Sequence, residues 1–486
     1  MTSDWEAIIG LEVHVQLRTN SKLFSSTAVQ SHAPPNTHTD AWSSGQPGVL
    51  PVLNEHAVAL AVRAGLATGC RIEPLSIFER KHYFYADLPR GYQITQYEYP
   101  ICRNGNLEFP LGNQLLTCGI ERIHIEEDTG KSIHAGAFSL LDYNRASTPL
   151  VEIVSRPDLR TPDEAAAFFR ELRQLLVDAQ VTDGNLQDGC MRCDANVSVR
   201  RRGENSLRNR VEIKNLNSFR FVRDALAYEI NRQITAWESA ETVWQETRSW
   251  DENAHLTRVL RRKEKSADYR YFPEPDLPPL RLTTSWISSQ AAKLPELPAA
   301  SRARLQSQGL SFAESVQLVQ ADGLLAFFDA ALPSGAEPVA LFHLMNALLT
   351  PALHQGIASL QQNTIVCENA VLSALAFGEL QLLIQQDVIS HTMGRQVWEL
   401  MLHEGGSAAE HVARHGLQTV RDTAALQKIV AEVLAQCPEE VARYRAGKVA
   451  LLGFLAGKAM KATAGKADPR LLSELLRTTL GPPENS

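Results

Sequence analysis

The stretch Arg122-Ile-His-Ile-Glu-Glu-Asp128 alternates apolar and polar residues, and only an extended strand turns that period of two into two chemically distinct faces. Ile123, Ile125 and Glu127 share one face; His124, Glu126 and Asp128 share the other. Glu127 follows two apolar neighbours toward a half-buried surface, where a carboxylate is costly unless it meets a cation. Thr129-Gly130-Lys131 follows at once, so the strand end reads as a metal and phosphate site. A solvated strand end capped by a turn is the plain alternative.

The same alternation recurs along the first 220 residues. In Ile8 to Leu17, Ile9, Leu11, Val13, Val15 and Leu17 form a core face, while Glu12, His14 and Gln16 lie opposite. Glu and His two apart can share a cation, although a solvated strand shows the same spacing. Ser147 to Val154 carries Glu152 on the face of Leu150 and Val154, where it again demands a partner. Met191 to Arg200 sets Arg192, Asp194, Asn196 and Ser198 opposite Cys193, Ala195, Val197 and Val199; Val211 to Asn215 turns Glu212 and Lys214 to its polar face. Helices are expected from a cap at Asn54 to Thr68, from Asp163 through Leu176, and from Asn217-Ser218 past Tyr228. If these strands are neighbours in one antiparallel sheet backed by helices, their polar side chains converge on a single floor suited to a metal and a nucleotide. No Walker, GxGxxG or kinase signature offers another phosphate device.

Arg80 to Gln93 interleaves Arg80, Lys81 and Arg90 with rings that include Tyr83 and Tyr85. Rings stack on bases and cations meet phosphates, so the stretch suits a nucleotide or a single-stranded end; an aromatic core with a basic edge fits equally. Residues Leu23 to Pro51 form an irregular loop, and Glu246 to Leu280 add more charges and rings, Lys263 to Asp268 among them. Cys190 and Cys193 form a CxxC without a second pair, which favours a structural role over zinc.

A chain of 486 residues exceeds one core. The expected organisation is α+β: an antiparallel-sheet catalytic domain over 1–290, an all-α helical domain over 291–406 and a small helical tail domain over 407–486. No apolar run approaches the roughly 20 residues that span a bilayer. The N-terminus lacks the basic region of a signal peptide and the seven cysteines are scattered, so a cytoplasmic location with reduced thiols is expected. The net charge of −7 is uneven, because residues 407–486 carry 11 Lys+Arg against 8 Asp+Glu, whereas 305–394 contain neither Lys nor Arg. Contact with a phosphate backbone must therefore come from the first 290 residues or from the tail, where Arg443, Arg445, Lys448, Lys458, Lys461 and Lys466 are the candidates.

Ile9-Gly-Leu-Glu-Val-His-Val-Gln-Leu17, His82-Tyr-Phe-Tyr85, Glu126-Glu-Asp-Thr-Gly-Lys131, Asp142-Tyr-Asn-Arg145, Pro149-Leu-Val-Glu-Ile-Val154, Arg192-Cys-Asp-Ala-Asn-Val-Ser198, Glu212-Ile-Lys-Asn-Leu-Asn-Ser218 and Asp268-Tyr-Arg-Tyr-Phe-Pro-Glu-Pro275 occur in this order. Together they resemble the B-subunit family of the aspartyl/glutamyl-tRNA amidotransferases. The likeness is dense over 1–290, loose over 300–400, and clear again at Tyr444-Arg-Ala-Gly-Lys448, Gly453-Phe-Leu-Ala-Gly457 and Met460-Lys-Ala-Thr463.

The resemblance implies a fold like glutamine synthetase and an ATP- and Mg2+-dependent activation of the side-chain carboxylate on misacylated Glu-tRNA(Gln) or Asp-tRNA(Asn). Amidation by ammonia would follow. It implies metal ligation by His14, Glu127 and Glu152, with Glu12 and Glu126 close by. Lys81, Lys131 and Lys214 become candidate phosphate cations, with Tyr83, Tyr85, Arg192 and Asp194 beside the nucleotide. The chain shows no glutaminase signature of its own, so a partner amidase (glutaminase), the family's A subunit, is implied, and the small C subunit completes a heterotrimer. Many members of that family hold zinc through two cysteine pairs after the first strand; here the matching positions are Ser25, Thr27, Asp40 and Ser43, and hydrogen bonds must hold the loop instead. Two other readings stay open: a scaffold that only positions tRNA, and an ATP-dependent amide ligase for a free amino acid.

Overall fold

Alternating strands assemble side by side in a nine-stranded sheet. In chain order they are β1 (Trp5–Gln16), β2 (Arg71–Ile72), β3 (Cys102–Leu111), β4 (Gln114–Glu127), β5 (Pro149–Ser155), β6 (Met191–Arg201), β7 (Val211–Leu216), β8 (Glu246–Asp251) and β9 (Leu256–Arg262). Across the sheet the order is β9-β8-β7-β6-β1-β5-β4-β3-β2. The computed structural model describes residues 4–262, 269–419, 422–463 and 466–482; the charged run Lys263 to Asp268 lies outside them.

Every pairing in this sheet is antiparallel except β7 with β8. These two are joined by α3 (Phe219–Glu238), and a helical crossover returns the chain in its starting direction, which a tight hairpin cannot do. Helices α1 (Glu55–Ala67), α2 (Pro162–Asp178) and α3 share the core cluster formed by the apolar face of the sheet. Their starts have local causes: the side chains of Asn54, Thr161 and Ser218 each accept backbone N–H bonds, and Pro162 supplies a preset first turn. Helix α2 thus starts one residue before the expected Asp163. Ile9, Leu11, Val13 and Val15 of β1 meet Phe168, Phe169 and Leu172 of α2 in one cluster. Each such fully buried side chain contributes about 1.5–3 kcal/mol.

The irregular loop after β1 is tied by polar contacts. Thr27 donates to the Asp40 carboxylate, the Ser43 N–H donates to it at 2.6 Å, and the buried Lys22 ammonium donates to the Ser43 hydroxyl at 2.8 Å. Thr27 and Ser43 thus hold the Asp40 carboxylate at the centre of this loop. Partial burial pushes Asp40 up, but the donors grouped around it (Ser25, Ser43 and Thr27) hold it down at about 2, below its ordinary 3.8. A depressed folded-state value means that Asp40 stabilises the fold above its unfolded pKa, and this is lost as pH falls toward 2. The gap in urea midpoint between wild type and Asp40→Asn is accordingly expected to be constant above pH ~5 and to narrow below pH ~4. A gap that stays constant to the acid limit would show that the carboxylate charge plays no part.

The chain divides into two compact units, 1–301 and 302–486. In the second, helices including Leu324–Ala331, Ala374–Gln385 and His391–Glu404 pack around Phe377, whose ring lies 5.7 Å from Phe327 and 5.2 Å from Trp398. The expectation of an all-α region here is corrected by a three-stranded antiparallel sheet of Ala358–Gln361, Thr364–Cys367 and Val371–Ser373. The turn at Gln362 takes φ +54°, and Thr364, Ile365 and Val366 are β-branched residues that favour a strand within Leu- and Ala-rich surroundings. Ala408 and Val412, expected to open the tail, belong to this middle cluster; a further cluster begins at Leu426.

Candidate active site

Register brings the polar residues of four strands into one row. His14 of β1 stands opposite Glu152 of β5 on one side and Arg192 of β6 on the other, and Glu152 in turn stands opposite His124 of β4. Glu126 follows two residues after His124 and so keeps the same face. The result is a square of two imidazoles and two carboxylates. His14 Nε2 lies 3.5 Å from Glu126 and 3.3 Å from Glu152, and His124 Nε2 lies 3.6 Å from each.

Charge and burial act against each other in this square. Burial opposes the protonation of His14, yet its hydrogen bond to Glu152 and the charges of Glu152, Glu126 and Asp194 lift it to about 9. Burial likewise opposes ionisation of Glu152, but His124 and His14 hold its carboxyl well below the usual range. Glu126 is held down chiefly through His124 against the same burial. Glu12, which accepts from Asn196 at 2.9 Å, is pushed up by burial and then by Glu152. So many carboxylates under one surface create a strong demand for cations. One imidazole nitrogen and two carboxylate oxygens, from His14, Glu126 and Glu152, lie within 4.8 Å of one another, a donor set able to hold a divalent ion.

Glu127 is placed elsewhere, which corrects its expected position in the metal cluster. As the alternation dictates, it points to the apolar side of β4, where it is fully buried. The cation it meets there is the guanidinium of Arg90, while the Ile94 N–H donates to it at 3.0 Å. Arg90 also stacks 4.0 Å from the Trp42 ring, so the pair pins the irregular loop beneath the sheet. The residue missed in its place is His124; the histidine-carboxylate spacing of His124 and Glu126 mirrors that of Glu12 and His14.

Cations ring the square. Lys81, in the strand Glu79–His82, lies 5.2 Å from the Tyr269 ring and 5.9 Å from Tyr83. Burial opposes its charge, but the charge of Glu126 and other nearby groups, Glu152 included, raise it. Among the described residues no carboxylate comes within ion-pair distance of Lys81. Lys214 is committed to Asp194 at 2.5 Å and Glu212 at 2.7 Å, and Arg192 to Asp128 at 3.2 Å. A register shift in the β6–β7 pairing and a left-handed Asn215, whose N–H donates to Asp194 at 2.9 Å, accompany the Lys214 contact with Asp194. Lys131 is exposed at the start of the hairpin Lys131–Ala135 and Phe138–Asp142 and lines none of the cavities at the square.

Three cavities meet here. One of about 230 Å³ is lined by Glu12, His14, Lys81, His124, Glu152 and Lys214; an equal one reaches Tyr83, Glu126, Arg192 and Asp194. A third of about 690 Å³ runs between Lys81, Tyr83, Tyr85, Leu260 and Tyr269. Its wall depends on the returning segment after Tyr269. Glu274, itself buried, accepts two hydrogen bonds from Arg80 at 2.7 and 2.8 Å, and Tyr271 stacks on Tyr97 at 4.3 Å. This clamp was not legible in the sequence, because its partners stand 194 residues apart.

Burial pushes the thiols of Cys190 and Cys193 up, and among the described residues neither joins a group of ligating side chains close enough to share a metal ion. In the tail, Arg443, Arg445, Lys448, Lys458 and Lys461 are exposed. Lys448 and Lys466 lie outside the helices, and Lys466 donates to the Gly416 carbonyl at 2.8 Å. Phe454 is 46% exposed and carries the Lys458 ammonium 5.3 Å from its ring.

Residues 7–288 match the GatB/GatE catalytic domain and residues 343–480 the GatB domain. The chain is 46% identical over 487 residues to the B subunit of the aspartyl/glutamyl-tRNA(Asn/Gln) amidotransferase of Synechococcus sp. strain JA-3-3Ab, covering 98% of both chains. It is 45% identical to the protein of that name from Thermosynechococcus vestitus, covering 98% and 97%, and 44% identical to that of Geotalea daltonii, covering 97% and 98%. The sheet with its charged floor, the helical C-terminal region and these matches agree along nearly the whole length, and the chain belongs to the family of aspartyl/glutamyl-tRNA(Asn/Gln) amidotransferase B subunits.

Proposed function

We propose that this chain activates the side-chain carboxylate of misacylated Glu-tRNA(Gln) or Asp-tRNA(Asn) with ATP and then passes it to ammonia. The observation that carries this reading is the square of His14, His124, Glu126 and Glu152 under Lys81, which no carboxylate among the described residues pairs. A sheet with one polar face and helices on the other supports a likeness to the glutamine synthetase fold. His14, Glu126 and Glu152 would hold Mg2+, which when bound neutralises phosphate charge during transfer. His14 must release its proton to serve as a ligand, so cation binding weakens on acidification.

A carboxylate oxygen of the aminoacyl group attacks the γ-phosphorus, the bond to the ADP oxygen breaks, and an acyl phosphate forms. Lys81 sits where charge spreads onto the phosphoryl oxygens, and Tyr83, Tyr269 and Tyr271 shield it from water. Ammonia then adds to the acyl carbon, phosphate leaves, and a proton is lost from nitrogen. Lys214 and Arg192 act chiefly by holding Asp194 and Asp128 in place. Ammonia comes from glutamine on a partner amidase, the A subunit, with the small C subunit to complete the assembly, in the cytoplasm. The exposed tail cations meet tRNA phosphates, with Phe454 available to stack on a base.

The test is ATP hydrolysis by the assembled complex, with misacylated tRNA, with uncharged tRNA, and with free glutamate or aspartate. Turnover that requires misacylated tRNA is the expected result. Turnover with the free amino acid alone would establish the ordinary amide ligase instead.

A further inference from the structure

The helix His391–Glu404 ends at Gly405-Gly406, and the helix Ala408–His415 begins two residues later. Both glycines take positive φ, +70° and +81°. At Gly406 a β-carbon would stand 3.1 Å from Glu410 Oε2 and 3.6 Å from His411 Nε2, so the turn closes tightly on the His411 ring. His411 is 2% exposed. Its Nε2 lies 2.6 Å from the Gly405 carbonyl oxygen. A carbonyl can only accept, so Nε2 carries a proton, and in the neutral ring that leaves the lone pair on Nδ1.

That Nδ1 is buried without a hydrogen-bond partner among the described residues and stands 4.0 Å from Glu404 Oε2. The two donors face each other somewhat wider than the roughly 3.3 Å between neighbouring ligands of a tetrahedral ion with bonds of about 2.0–2.1 Å, a difference that rotation of the exposed Glu404 side chain closes. His415 follows His411 by four residues and shares its helix face, the two rings lying 6.2 Å apart and 20° from parallel. Ligand atoms of Glu404, His411 and His415 all lie within 4.8 Å of one another. The Nε2 bond to a backbone carbonyl is the outer contact that orients a metal-binding histidine. Glu410 is engaged at the helix start with Ser407, and Arg414 contacts Glu404 at 3.0 Å in an exposed pair of the weak kind.

We propose that Glu404, His411 and His415 form a second cation site, selective for a borderline divalent metal of the zinc class. Two imidazoles and one carboxylate favour such ions over Mg2+, which demands oxygen ligands. The bound ion would clamp the Gly405-Gly406 turn and fix one helix against the next. This is independent of the chemistry assigned to the sheet.

The experiment uses the full chain in a Glu126→Gln, Glu152→Gln background, which takes both carboxylate donors out of the sheet cluster, stripped with a chelator and titrated with Zn2+ against a chromophoric competitor. One equivalent of Zn2+ is expected to bind and to resist millimolar Mg2+. Adding His415→Ala or Glu404→Gln should weaken it at least about tenfold, the lower range for losing even an outer contact. Arg414→Gln should tighten it by freeing Glu404. Both ligand substitutions fall on exposed side chains, and circular dichroism checks that the helices persist. Absence of a Zn2+ equivalent, displacement by Mg2+, or unchanged affinity in His415→Ala and Glu404→Gln would overturn the site.

Discussion

Glu152→Gln and His14→Ala are expected to abolish formation of Gln-tRNA or Asn-tRNA even when saturating ammonium replaces glutamine. Each removes a donor from the middle of the square: His14 stands 3.3 Å from Glu152, and both lie within reach of Glu126. Without the site, phosphate charge in transfer is left uncompensated, which by the usual scale of such terms costs at least about 10³ in kcat. Inactivating the partner amidase should have the opposite pattern, because ammonium bypasses glutamine but cannot bypass activation. A binding readout separates chemistry from folding. Glu152→Gln should bind one equivalent of Mn2+ fewer than wild type, while thermal unfolding of the variant stays cooperative. Ammonium-dependent amidation at wild-type rate in either variant would remove the activation site and leave a chain that only positions tRNA.

Glu127→Gln should have its main effect on folding rather than on cation binding. Glu127 is fully buried and meets the Arg90 guanidinium, whose side chain is 10% exposed and packs on Trp42. Removing one member of a buried ion pair leaves the other charged, desolvated and unpaired, and costs about 3–5 kcal/mol. A shift of that size should appear in the urea midpoint, with Mn2+ affinity retained under native conditions. Arg90→Gln should cost a similar amount, and the double substitution less than the sum, because the stranded charge is then absent. If Glu127→Gln instead unfolds like wild type yet loses Mn2+, Glu127 is a ligand and the pairing with Arg90 is incidental.

A strict period of two was enough to divide β1, β4, β6 and β7 into a core face and a charged face, because successive side chains of any extended strand point to opposite sides. Local signals sufficed for the starts of α1 and α3, where Asn54 and Ser218 accept their caps. The ordered motifs sufficed for the family. Alternation says nothing about which strands are neighbours or in what register. Only the antiparallel pairing of β1, β5 and β4 set His14, Glu152 and His124 in one row. The same tertiary information separated Glu126 from Glu127: both were visible as carboxylates at a strand end, but the partner of the buried one, Arg90, comes from a loop 37 residues away. The strands Ala358–Gln361 to Val371–Ser373 were hidden for a related reason, since short apolar runs carry no decisive period and packing chooses their form. Sequence determined which side chains share a face; the register between strands, a property of distant segments, decided which of them meet.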